Sequence, residues 1–147
     1  MPQEGLIVDS TGVSGAPKKT STVELWVKNN SGAARTKGDV VIWDDASGNA
    51  DGFNTTITVT KAKASRAGVL AHDVASAGYG PLVTSGVHTQ ARVSGTTTNI
   101  APGDLLTTGI DTGRLYKPTT ATLGTIVAVA QSTATTETTI PVFVTII

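Results

Sequence analysis

The chain has 147 residues, eleven basic and eleven acidic side chains, and no cysteine. Its length fits one domain, or one domain and a tail, and gives enough surface to bury for the chain to fold unaided. The missing cysteine excludes disulfides, thiolate metal sites and thiol nucleophiles, and the balanced charge speaks against a nucleic-acid binder, which shows a basic excess or stripe. Hydrophobic residues make up 39%, charged residues 15% and aromatics 4%, while threonine alone is about a sixth. That mixture is too apolar for a disordered chain and too β-branched for a helical one.

Residues 1–20 read as an extended N-terminal arm. Met1-Pro2-Gln3-Glu4-Gly5 has neither a basic segment nor a long apolar core, so no secretory signal is expected. Leu6-Ile7-Val8 forms a short apolar cluster, followed by a Gly-, Ser- and Pro-rich stretch that ends in Lys18 and Lys19. Three apolar residues on an arm have no core of their own to enter, so they are expected to pack on the body or on another chain.

From residue 21 to 147 the pattern is that of strands. Thr22 to Lys28 alternates Val23, Leu25 and Val27 with Glu24, Trp26 and Lys28, as in a half-buried strand. A turn at Asn29-Asn30-Ser31-Gly32 precedes the continuous apolar run Gly38 to Trp43. A polar loop spans Asp44 to Gly52, and alternation returns over Thr55 to Thr60. Lys61 to Arg66 has helical propensity but is too short to stand alone. Further strands are expected at Gly68–Ala71, Tyr79–Thr84, Val87–Val93, Leu105–Thr108, Arg114–Tyr116, Gly124–Ala130 and Ile140–Ile147. Ala77-Gly78, Ser85-Gly86, Ser94-Gly95, Pro102-Gly103 and Thr112-Gly113 supply turns between them. Short strands at this spacing indicate an all-β barrel or sandwich of antiparallel strands, and no run of eighteen apolar residues is present to cross a membrane as a helix.

Gly38-Asp39-Val40-Val41 echoes Gly103-Asp104-Leu105-Leu106. In each, the carboxylate is expected to accept backbone N–H bonds and turn the chain before a buried strand. Convergent turn chemistry is the plainer explanation; a duplicated, hairpin-rich half is the alternative.

No reaction is written in the chain. His72 and His88 are the two histidines, and no Gly-x-Ser-x-Gly elbow accompanies them; both are expected at a strand edge or a subunit interface. Asp45 to Gly52 superficially resembles a calcium loop, but Ala50 and Thr56 stand where Gly and Glu are needed, so a polar hairpin loop is expected. Gly12 to Thr20 lacks the spacing of a phosphate loop. A carboxylate pair for glycoside hydrolysis would come from Asp39, Asp44, Asp45, Asp73, Asp104 and Asp111, yet the chain is poor in aromatics for sugar stacking. Trp26 and Trp43 are expected in core or interface packing. The sequons at Asn29 and Asn54 read as chance matches. No cofactor or metal is expected.

Two stretches carry a likeness to a known family. One is Gly68-Val69-Leu70-Ala71-His72-Asp73 continuing through Gly78-Tyr79-Gly80-Pro81-Leu82-Val83 to Val87; the other is Ala101-Pro102-Gly103-Asp104-Leu105-Leu106 with Gly124 to Gln131 and Pro141-Val142-Phe143-Val144. Together they resemble the head-decoration, or cement, proteins of tailed bacteriophages. The resemblance covers residues 38–147 and rests on an order of turns and strands, not on an invariant site. It implies a small β-barrel or β-tulip that forms a homotrimer on the outer surface of the virion, synthesised in the host cytoplasm. Its partners would be further copies of itself and the major capsid protein, with no nucleic acid and no membrane. An arm reaching neighbouring subunits would make Leu6, Ile7, Val8, Lys18 and Lys19 the contact residues. A non-catalytic tail-fibre or spike module binding host glycan through Trp26, Trp43, Tyr79 and Tyr116 is the alternative. A small hydrolase using Asp residues and His72 is a third reading.

Overall fold

A computed structural model describes residues 22–146, apart from 47, 50, 59, 61 and 110–112. The arm, with Leu6, Ile7, Val8, Lys18 and Lys19, lies outside the described residues. The fold is all-β, as the patterning indicates. The strands are β1 (Val23–Asn29), β2 (Val40–Trp43), β3 (Asn54–Thr56), β4 (Arg66–Leu70), β5 (Tyr79–Ser94), β6 (Leu105–Thr108), β7 (Leu115–Tyr116), β8 (Ile126–Ala130) and β9 (Glu137–Thr145).

The strands close two rings that share β5. In the first, the order β1-β3-β2-β4-β5 is completed by β1–β5 pairing; in the second, β5-β7-β6-β8-β9 is completed by β5–β9 pairing. Closure removes the exposed edges that an open sheet of short strands would leave. The expected antiparallel pairing holds except at β1–β3 and β5–β7, which are parallel. The exception is topological. Around a closed ring the strand direction must return to itself, so the number of antiparallel steps is even, and a ring of five needs at least one parallel pair.

The two rings repeat one another strand for strand, so the Gly-Asp echo marks equivalent positions of a repeated arrangement. The Gly38 N–H donates to the Leu70 carbonyl as the Gly103 N–H donates to that of Ala130, and the return bonds Leu70 N to Asp39 O and Ala130 N to Asp104 O also match. The bridges Arg35–Val74 and Ile100–Ala134 correspond. Both rings carry a register shift at the same place, after Val41 and after Leu106. Asp39 Oδ2 accepts from Thr36 N at 3.0 Å and Asp104 Oδ2 from Ala101 N at 2.7 Å, the turn role expected of both carboxylates. The side chains filling the first ring, Val27, Val41, Ala67, Leu70, Val74 and Leu82, have Ala91, Leu106, Val127, Ala130, Ala134 and Val142 as counterparts in the second. Short motifs hid this relation because a barrel interior constrains size and polarity, not identity.

Three other expectations change. Ser85-Gly86 does not turn the chain: β5 runs unbroken for 16 residues, first as the last strand of one ring and then as the first strand of the next. Gly86, at a φ of 106°, lies opposite Val144 inside this strand. Strand β3 ends at Thr56, short of Thr60, because the Thr58 hydroxyl accepts the Thr60 N–H at 2.9 Å in a local turn that competes with sheet pairing. Among the described residues of the Lys61–Arg66 segment there is no helix; Ala62 takes a φ of 52°, and Arg66 opens β4.

Candidate functional site

Most of the described carboxylates with potential chemistry are engaged in structural contacts. Asp44 is buried and accepts from Asn30 Nδ2 at 2.7 Å, Asn49 Nδ2 at 3.1 Å and Ala46 N at 3.2 Å. Asp51 accepts the Phe53 and Asn54 N–H groups and the Asn54 amide. The residues of the supposed calcium loop thus tie the β2–β3 connection together, as a polar hairpin loop requires. Among the described residues no group of three or more His, Asp or Glu side chains converges as a metal ligand set would. Asp73 accepts the Lys37 N–H at 2.8 Å beside an exposed His72. Asp111 lies outside the described residues. Asn29, the acceptor of one sequon, is buried and donates to the carbonyls of Ala33, Val74 and Ala75.

His88 departs from its expected place. It sits in the middle of β5, the strand shared by both rings, and is buried. Nδ1 accepts the Gln90 N–H at 3.1 Å, which puts the proton on Nε2, 2.8 Å from the Leu70 carbonyl. The neutral ring is therefore satisfied at both nitrogens. Burial holds its pKa below the ordinary 6.5, opposed by the Leu70 hydrogen bond, with Lys37 lowering it further and Glu24 raising it. The folded chain thus binds a proton less readily than the unfolded one. The His88 contribution to stability is fully present above pH 6.5 and is lost as the pH drops below that value, because the unfolded state takes up a proton that the native state refuses. Urea midpoints at pH 7.5 and pH 5 should differ more for the natural chain than for His88→Gln; equal pH dependence would show that His88 has no part in it.

The outer surface carries the features that remain. Trp26 is 71% exposed and Tyr79 60% exposed, so Trp26 is not a core residue. It projects from the outer face of β1, opposite Pro81, next to the Lys28–Tyr79 pair on the same side. Tyr79 stacks on Phe53 with ring centroids 6.5 Å apart. Trp43 packs against the first ring's interior, whereas Tyr116 is half-buried on β7. The four aromatics singled out in the sequence are therefore not one set: Trp26 and Tyr79 share a surface, and Phe53, which alternation could not place, joins them. Val23 and Leu25 also remain exposed, although Val27, two residues on, is buried. Strand β1 thus passes beyond the filled part of its ring, and only its C-terminal half is half-buried as expected.

A second apolar surface lies on the other ring. Leu105 pairs with Val129, Val129 with Phe143 and Phe143 with Val87, a row across four adjacent strands. Phe143 is 41% exposed, Val87 is 46% exposed, and Leu105 and Val129 are half-buried. The one sequence signal for it was the period-two pattern, which marks a face but not whether that face is inside. A shallow depression of about 280 Å³ near Val87, lined by Glu24, Lys37, Val83 and His88 among others, is part polar and has no enclosed interior.

No family model matches the chain, and no curated protein matches it. Among solved structures, it is similar to the N base of the head fibre gp8.5 of bacteriophage phi29, with a TM-score of 0.56 and 17% sequence identity. The match covers 84% of this chain and 93% of that one. At this identity the likeness concerns the fold.

Proposed function

We propose that this protein is a non-catalytic structural component of a bacteriophage head, one that decorates and stabilises the capsid by binding as a homotrimer to the major capsid protein on the outer surface of the virion. The observation that carries this reading is the fold shared with a phage head-fibre base over 84% of this chain and 93% of that one. The apolar outer surfaces add to it, since adhesion needs exposed apolar area, and the carboxylates and buried histidine are engaged in holding the fold. Such a protein stabilises the shell by mass action, through tighter binding to the assembled particle than to its opened form. Many copies on one particle make modest individual contacts effective.

The arm residues Leu6, Ile7, Val8, Lys18 and Lys19 are proposed as shell contacts. Removing residues 1–19 should leave a body with unchanged circular dichroism that co-sediments with capsids at least about tenfold more weakly, equivalent to roughly 1.4 kcal/mol. Undiminished capsid binding by the truncated chain would defeat the arm assignment. A full-length chain that never co-sediments with particles, and whose absence leaves their heat resistance unaltered, would defeat the function itself.

The Trp26–Tyr79–Phe53 surface favours one second reading, a fibre or spike module that stacks glycan on exposed aromatics. Saturable binding on a glycan array, lost in Trp26→Ala, is what that reading requires.

A further inference from the structure

Closure of the first ring leaves one stretch of edge uncovered. Strand β3 pairs with β1 only at Lys28 and Asn29, whereas β5 pairs with it from Val23 to Lys28. The Lys28 N–H donates to the Phe53 carbonyl at 2.9 Å, on the side away from β5. Backbone groups on a strand point alternately to its two edges, so those of Trp26 and Glu24 share that direction. The pairing agrees: Trp26 lies opposite Pro81, which has no N–H to give. Among the described residues no strand pairs with Glu24 or Trp26 on that side. The side chains beside this edge are apolar on both faces. Val23 and Leu25, 53% and 45% exposed, lie on the face that Val27 carries into the ring interior, and Trp26 stands on the outer face. An unpaired edge flanked by exposed apolar residues is a template for one more strand.

The chain itself holds a segment of the matching kind. Leu6-Ile7-Val8 is apolar at three consecutive positions. As a strand it would show apolar side chains on both faces, and this edge offers apolar cover on both. We propose that in the free protein this run folds back along β1 of its own chain, antiparallel to it. Position and length favour this occupant. The arm leads by sequence into the exposed end of β1, and residues 9–23, with Ser10, Gly12, Ser14, Gly15 and Pro17, make a connection long enough to reverse direction. Such a tether holds the run at an effective concentration on the order of a millimolar, above that of any other copy in micromolar protein. The register is bounded at one end, because the Phe53 carbonyl already takes the Lys28 N–H. Leu6 opposite Trp26, Ile7 opposite Leu25 and Val8 opposite Glu24 places the whole run on the open stretch. Trp26 and Glu24 then exchange N–H···O bonds with Leu6 and Val8, Ile7 covers Leu25, and Leu6 lies beside Trp26 on the outer face. The arm thereby meets the shell already ordered, with Leu6 and Trp26 as one outward apolar patch, and its ordering entropy is lost on folding instead of on binding. That role on the shell rests on the function proposed above, whereas the docking is tested without particles, so the two fail separately.

The experiment is amide hydrogen exchange by NMR on the full chain. The Glu24 and Trp26 amides should exchange at least about tenfold more slowly in the natural chain than in the triple variant Leu6→Ser, Ile7→Ser, Val8→Ser, with unchanged circular dichroism. Leu25 and Val27, whose N–H groups face β5, should stay equally protected in both chains. Val8→Pro keeps an apolar side chain but has no N–H to give the Glu24 carbonyl, so it should speed exchange at Glu24 and Trp26 as well. Protection should be the same from tens to hundreds of micromolar protein. Fast exchange at Glu24 and Trp26 in the natural chain would overturn the proposal, as would protection that survives the serine variant or Val8→Pro. Protection that rises with protein concentration would overturn it too, since the strand would then come from another copy.

Discussion

Gly38→Ala is expected to lower the melting temperature by roughly 10–15 °C, while Gly103→Ala, its counterpart in the second ring, lowers it by only a few degrees. Both glycines take a left-handed φ, +92° and +90°, so both alanines incur a strain of about 1 kcal/mol. The difference lies in the surroundings. The Gly38 methyl group would meet the Gln90 carbonyl at 2.1 Å and the Arg92 nitrogen at 3.2 Å, both backbone atoms of β5. Arg92 and Ala91 are held in the ladder with β9, which anchors this backbone, so the joint between the rings must open, at a further cost of about 3 kcal/mol. At this chain length each kcal/mol corresponds to about 3–4 °C. Calorimetry of the two variants side by side checks this; equal losses would mean that φ strain alone matters and that the rings are not rigidly joined at Gly38.

Asp39→Ala is the second large effect, at about 3 kcal/mol. The carboxylate is 1% exposed. It pairs with Arg92 on β5, accepts the Thr36 N–H, and lies directly under Gly113, where a Cβ would come within 2.7 Å of Oδ1. Removing it leaves the Arg92 guanidinium, itself mostly covered, without its counter-charge and the Thr36 N–H without its acceptor. In the second ring Asp104 makes the same turn but meets Lys117 at 3.0 Å near the surface, where an ion pair contributes little. Asp104→Ala should therefore cost about 1 kcal/mol, most of it from the lost Ala101 hydrogen bond. Denaturant unfolding of both variants tests the asymmetry, and comparable losses would show that Asp39 acts as a turn residue alone.

The shared position of these two effects reflects how the chain is organised. Asp39 and Gly38 belong to the first ring by sequence, yet what they touch belongs to the second. The two rings are similar, and their fusion through β5 makes one face of the first an interior surface. The corresponding face of the second stayed outside, which is why similar sequences there have different energetic consequences.

Much of the fold was legible in the chain itself. Period-two alternation, β-branched composition and Gly-containing turns located most of the strands and excluded helices, because a pleated surface with one buried face demands that pattern locally. The role of Asp39 and Asp104 was legible for the same reason: a carboxylate three residues after a free N–H satisfies it without help from distant parts of the molecule. What alternation cannot do is say which face is inside. Val83 and Phe143, or Val40 and Leu105, read alike in sequence; only closure of the rings and their contact through β5 bury one of each pair and expose the other. The repeat of the two rings, the continuity of β5 through Ser85-Gly86, the placement of His88 and the exposure of Trp26 were likewise decided by long-range pairing, in which burial depends on what distant parts of the chain bring into contact.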